Sequence, residues 1–132
     1  MVVVDSSAMI EALIGGNGAE SLRERLDQPL LHAPTLIDFE VLNVLRRSVL
    51  RGQVTEDRAY EARVDYWLAP LERYPARPLE PRMWELRDAL SMYDAAFVAL
   101  SEALDLPLVT CDARLAGAPG LDARIELFAP RD

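Results

Sequence analysis

The sequence predicts an α/β sandwich with a mainly parallel sheet, and three observations carry that prediction. Val2-Val3-Val4 is a continuous β-branched run, as a short strand buried on both faces requires. Pro107–Cys111, through Leu108-Val109-Thr110, is a second such run near the other end of the chain. Between them lie longer helical patterns, of which Leu36–Leu50 and Tyr93–Leu104 are apolar on most sides. Short apolar strands separated by long helices imply parallel pairing through helical crossovers.

The elements follow in order. After Val2–Val4, Asp5-Ser6-Ser7 offers a cap to a helix running through Leu13. Gly15-Gly16-Asn17-Gly18 reads as a turn and Ala19–Leu26 as a short helix. Pro29 and Pro34 are expected to bracket a loop that contains His32, which reads as a surface or interface residue. Pro34 suits a helix start, and Leu36–Leu50 continues until Gly52 stops it. Thr55 caps a more amphipathic helix ending near Leu68, and Leu71–Tyr74 reads as a strand between prolines. Glu80–Leu90 and Tyr93–Leu104 read as helices, Ala113–Leu115 as a helical turn and Ile125–Phe128 as the last strand. With no repeat, low-complexity tract or linker, residues 1–132 read as a single domain.

At 51% hydrophobic and 27% charged, the composition is globular rather than disordered. A single cysteine, Cys111, excludes an intramolecular disulfide and a cysteine zinc site, in keeping with a reducing cytoplasm. The opening run lacks a basic segment and is too short for a signal peptide, and no stretch approaches the roughly 20 apolar residues that span a bilayer. A cytoplasmic protein without a membrane segment is expected. The net charge of −8 argues against avid nucleic-acid binding, although all fourteen basic residues are Arg, the type suited to bidentate phosphate contact.

Four carboxylates stand apart from the remaining acids. Asp5 follows Val2–Val4, and Asp112 closes the Leu106–Cys111 run. Glu40 has Leu36 and Val44 one turn either side, and Asp94 is followed at helical spacing by Phe97 and Val98. Other acids have an arginine at helical pairing distance: Glu20 and Asp27 have Arg23, Glu61 has Arg58, and Glu85 has Arg82. Ionised acids in apolar surroundings need a compensating positive charge. A set built from carboxylates alone suits a hard cation such as Mg²⁺ or Mn²⁺. In open α/β sheets the ligand crevice lies past the strand carboxyl ends, where Asp5 and Asp112 are expected.

The segments Val-Val-Val-Asp5-Ser-Ser-Ala, Pro34-Thr-Leu-Ile-Asp-Phe-Glu40-Val-Leu-Asn43, Tyr93-Asp94-Ala-Ala-Phe-Val and Leu108-Val-Thr110-Cys-Asp112-Ala-Arg-Leu resemble those of PIN-domain nucleases. More narrowly, they resemble the VapC toxins of bacterial toxin–antitoxin pairs. The resemblance runs from Val2 to about Phe128. It implies a PIN-like three-layer α/β/α sandwich and Mg²⁺- or Mn²⁺-dependent hydrolysis of RNA. Asp5, Glu40, Asp94 and Asp112 match the family's acidic positions, Ser6 the hydroxyl after the first acid, and Thr110 the one before the last. The family also implies a homodimer and a VapB-like antitoxin.

Each residue also has a plainer reading. Asp5 and Asp94 would cap helices, and Asp112 would be a turn residue; Glu40 lies inside a helix and cannot cap. Ser6 either orients a ligand or caps its helix. Asn43, one turn from Glu40, bonds either a ligand carboxylate or a backbone group. Arg47 and Arg51 fall within roughly 20° of the Glu40 face, at 100° per residue, as phosphate contacts or as solvent-facing charges. Arg114 is a further RNA-contact candidate on proximity to Asp112. Trp67, Trp84, Tyr60, Tyr66 and Phe97 read as core or dimer contacts. Receiver domains and haloacid-dehalogenase-like phosphatases also place an Asp after the first strand, but both rely on a lysine and this chain has none. The alternative from another class is a catalytically silent PIN-like module that binds RNA or protein; such modules typically lose some of the acids.

Overall fold

The structure, a computed structural model, describes residues 1–129. Five parallel strands form one sheet: β1 (Val2–Val4), β2 (Leu31–Pro34), β3 (Leu71–Tyr74), β4 (Leu108–Thr110) and β5 (Ile125–Leu127). Their spatial order is β3-β2-β1-β4-β5. The helices are α1 (Ser6–Ile14), α2 (Glu20–Leu26), α3 (Ile37–Leu50), α4 (Glu56–Leu68), α5 (Glu80–Glu85), α6 (Met92–Leu104) and α7 (Ala113–Ala116).

The strand order explains where a site can form. From β1 the chain steps outward to β2 and β3, then crosses back to place β4 on the other side of β1. Right-handed crossovers in opposite directions put their helices on opposite faces. Accordingly α1 packs with α2, α3 and α4, while α6 packs with α5 and crosses β1, β2 and β4. The result is the expected three-layer sandwich. Its direction of winding reverses between β1 and β4, and a crevice opens there at the strand carboxyl ends.

Burial follows the pattern of the sequence. Val2, Val3 and Val4 are fully buried, as are Leu108 and Val109 beside them. Helix α6 is buried from Ala95 to Ser101, which explains its nearly all-round apolar composition. Thr55 accepts the Arg58 N–H at 3.1 Å to start α4, and Gly52, at φ 70°, supplies the left-handed turn after α3.

Two expected elements differ. Residues 31–34 form β2, an inner strand, rather than a loop. Its proline stands at the strand's last position, where the missing N–H is tolerated. His32 is therefore buried between Val3 of β1 and Glu72 of β3, not on the surface, and its Nδ1 is 2.7 Å from the Tyr74 hydroxyl. Helix α5 stops at Glu85 rather than Leu90. The chain tightens into turns there because Ser91 must be extended to cap α6.

Candidate functional site

The site is assembled at the carboxyl edge of the sheet. Asp5 directly follows β1, and its N–H still bonds the Val109 carbonyl at 3.1 Å, so the strand pairing itself fixes its position. Its carboxylate is buried and takes three donors. Oδ1 accepts the Ala8 N–H at 2.9 Å and the Ser7 hydroxyl at 2.7 Å, and Oδ2 accepts the Thr110 hydroxyl at 2.5 Å. Ser7 also accepts the Cys111 N–H at 3.0 Å, and Thr110 accepts the Asp112 N–H at 3.0 Å. Each hydroxyl has one proton and spends it on Asp5, so the 3.3 Å contact between Ser7 and Thr110 carries none. These bonds lace the ends of β1 and β4 around one carboxylate.

Asp5 does cap α1, so its helix role and its place in the crevice coexist. Burial raises its pKa, the bonds from Thr110, Ala8 and Ser7 oppose that, and the charge of Asp112 adds to it; the balance is upward. Ser6 neither caps α1 nor bonds Asp5. It lies beside Glu40 instead and lowers the pKa of that acid. The hydroxyl that bonds Asp5 is that of Ser7, whereas the resemblance pointed to Ser6.

Glu40 lies in the first turn of α3. Burial raises its pKa, the Ser6 hydroxyl opposes, and the charges of Asp94 and Asp5 raise it further. Its Oε1 is buried with no hydrogen-bond partner. Asp94 occupies the first turn of α6, but Ser91 caps that helix, accepting the Asp94 N–H at 3.2 Å. The Asp94 carboxylate is thus not needed as a cap. Burial raises its pKa, Arg114 opposes and Asp112 adds. Asp112 caps α7 through the Arg114 N–H at 2.9 Å. Burial pushes it upward, but the bonds and charge of Arg114 outweigh that and hold it below the ordinary range.

These mutual effects form a closed ring. Glu40 feels Asp94 and Asp5, Asp5 feels Asp112, and Asp94 feels Asp112. Four acids from two strand ends and two helices of opposite faces therefore share one field. A cation is present at one side of it: Arg114 Nη2 lies 3.0 Å from Asp112 Oδ2 and 3.4 Å from Asp94 Oδ2. The sequence offers arginine partners at helical spacing to other acids, whereas the fold brings Arg114 to two of these four.

The residues fit a hard divalent cation by the chemistry of the donor set. All four are carboxylates, three have raised pKa values, and Glu40 presents an unpartnered buried oxygen. Among the described residues, no three His, Cys, Asp or Glu side chains are grouped tightly enough to hold an ion as they stand. Asp5 is turned to hydroxyls, and Asp94 and Asp112 to a guanidinium. Cys111 stays a protonated thiol, pushed up to about 12 mainly by burial, and does not compete as a ligand.

Beside Glu40 a groove of about 550 Å³ is lined by Phe39, Asn43, Arg46 and Tyr93. Asn43 is exposed there rather than packed in a buried helix. The basic residue of this groove is Arg46; Arg47, farther along α3, and Arg51, just past its end, are exposed and do not line it. Those two share the azimuth of Glu40, but at 1.5 Å per residue they are displaced roughly 10 and 16 Å along the helix axis. Tyr66 and Phe97 are core residues as expected, whereas Tyr60, Trp67 and Trp84 are exposed. The helical pairings expected for ordinary acids are realised for Arg58 and Glu61 at 3.5 Å. Arg23 instead bonds the carbonyls of Ala12, Gly15 and Gly16, and Arg82 bonds Glu102.

Comparison with known proteins identifies the family. Residues 2–121 match the family described as PIN domain. The chain is 44% identical over 127 residues to Ribonuclease VapC1 of Mycobacterium tuberculosis, covering 95% of this chain and 96% of that protein. It is 36% identical over 129 residues to Ribonuclease VapC12 of the same organism, covering 98% and 100%. A chain of a toxin-antitoxin complex from Klebsiella pneumoniae has the same fold, with TM-score 0.68 and 18% identity over 99% of this chain and 100% of that one. By the family match, and by identity to these relatives over nearly its whole length, the chain belongs to the PIN domain family, among its VapC ribonucleases.

Proposed function

We propose that this chain is a metal-dependent endoribonuclease, the toxin of a toxin–antitoxin pair, which hydrolyses RNA phosphodiester bonds at Asp5, Glu40, Asp94 and Asp112. The observation that supports this reading is the ring of four acids at the crevice where the sheet reverses its winding. Kinship with VapC ribonucleases supports the reaction class.

Asp5 and Asp94 would hold the ion, with Glu40 and Asp112 completing its surroundings. Mg²⁺ or Mn²⁺ bound there would lower the pKa of a water and offset charge on the phosphate. The chain's own residues do the rest. Ser7 and Thr110 orient the Asp5 carboxylate, and Ser6 lies beside Glu40. Glu40, with its raised pKa and free Oε1, is suited to take a proton from the attacking water. Arg46 and Asn43 line the groove next to Glu40 and supply donors for flanking RNA.

The exposed Phe39, Leu50, Tyr60, Trp67, Leu68, Trp84 and Tyr93 leave ample apolar surface for partner chains. We place a second copy of this chain and a VapB-like antitoxin among those partners. No helix among the described residues is long and apolar enough to cross a membrane, and we place the activity in the cytoplasm, with residues 1–132 acting as one PIN domain.

The test is incubation of purified, antitoxin-free protein with total bacterial RNA, with Mn²⁺ or with EDTA, alongside Asp94→Asn. Discrete cleavage that needs both the metal and Asp94 is expected. Intact RNA from folded protein under every metal would move the assignment to a silent binding module.

A further inference from the structure

The Arg114 side chain reaches from α7 across the opening of the acid ring, and a single nitrogen, Nη2, contacts carboxylates from two elements, Asp94 of α6 and Asp112 of the β4 end. Among the described residues it is the one cation that touches any of the four acids. Its side chain is 79% exposed, while those of Asp94 and Asp112 are 29% exposed. The guanidinium is therefore pulled down onto two half-buried acids without being packed in place. Its backbone N–H has a separate duty, bonding Asp112 Oδ1 to start α7, so the side chain can leave without unwinding that turn.

A guanidinium on Asp94 and Asp112 and a divalent cation held by Asp94 repel one another across a few ångströms, and both draw on the Asp94 carboxylate. We infer that Arg114 is a displaceable counter-cation: it holds Asp94 and Asp112 in the ion-free chain and is expelled when a divalent cation binds, which frees its guanidinium at the rim of the site. This rests on the metal-dependent reading above. The arginine then acts as a positioning residue in two respects. It keeps the acid pair from repelling apart before loading, and it sets a threshold that the cation must overcome.

Deleting this arginine from the site therefore strengthens cation binding. A merely structural role for Arg114 would weaken binding on deletion. Calorimetric titration of Mn²⁺ into the wild type, Arg114→Ala, Arg114→Lys and Asp94→Asn proteins separates the possibilities. Arg114→Ala should bind Mn²⁺ about three- to tenfold more tightly than wild type, the range for releasing two partly exposed ion pairs. Arg114→Lys should fall between them, and Asp94→Asn should bind far more weakly than all three. Mn²⁺ should also raise the melting temperature of Arg114→Ala by more than that of wild type. Equal or weaker binding by Arg114→Ala, with Asp94→Asn still impaired, overturns the displacement and leaves the metal site standing. No Mn²⁺ binding by any of the four proteins overturns both.

Discussion

Thr110 and Asp5 lie 105 positions apart in the sequence, yet the Thr110 hydroxyl donates to Asp5 Oδ2 at 2.5 Å in a fully buried contact. The contact exists because β1 and β4 are neighbours in parallel register, with Val4 opposite Val109. Both chains leave the sheet at the same height, so the first residue past β1 meets the last residue of β4. The acid that begins the site is thus oriented by the strand that carries the final acid.

Thr110→Val keeps the volume and removes that donor. It should lower metal affinity and RNA cleavage by about 10- to 100-fold, the usual effect of losing a partner that orients a ligand. Thr110→Ser should restore most of both. Metal titration and single-turnover cleavage check this, with circular dichroism to confirm the fold.

Glu40→Gln should abolish cleavage but raise the melting temperature in EDTA at neutral pH. Burial lifts the folded pKa of Glu40 above its unfolded value, so the folded state holds that proton to higher pH. Stability from this group therefore falls as pH rises through the window from the ordinary glutamate range up to the raised value. Gln carries no charge to desolvate, and its amide can donate to the neighbouring acids. The gain over wild type should shrink as pH drops below that window, which melting curves at several pH values would show.

Arg73→Met should destabilise the protein by about 2 kcal/mol, as expected for a charged hydrogen-bonded partner. Arg73 Nε lies 2.9 Å from both oxygens of Asp38, and the Tyr66 hydroxyl donates to Asp38 Oδ1 at 2.6 Å. The three residues tie the first turn of α3 to β3 and α4, two positions before Glu40. Urea denaturation measures the loss.

Tyr74→Phe should cost about 1 kcal/mol by removing the bond to His32, while cleavage stays unchanged. Burial lowers the His32 pKa, so the ring is neutral and structural on this account. Lost cleavage at unchanged stability would instead bring His32 into the candidate site.

The parts of this architecture that could be read from sequence are those where one local pattern had one meaning. Val2–Val4 and Leu108–Thr110 are continuous apolar runs with few alternatives to buried strands. The four acids stood out because each sat where ionised groups are costly. Strand β2 was hidden because Leu31-His32-Ala33-Pro34 alternates weakly and has prolines at its margins, while its burial comes from β1 and β3 on either side. The choice between Ser6 and Ser7 depends on which way the first turn of α1 faces, and that is set by packing against β4. Arg47 and Arg51 share the azimuth of Glu40, but the rise along the helix sets them farther along its axis than Arg46, which lines the groove. Arg114 was near in sequence to Asp112, but its reach to Asp94 required α6 to cross the sheet.

On the proposed function, Asp5, Glu40, Asp94 and Asp112 make one metal centre. Crystals of the Asp94→Asn and wild-type proteins soaked in Mn²⁺ would test it through anomalous diffraction at the manganese edge. The account predicts a peak in the wild type bounded by Asp5, Glu40, Asp94 and Asp112, and its loss in Asp94→Asn. A peak elsewhere, or none at saturating Mn²⁺, would contradict it.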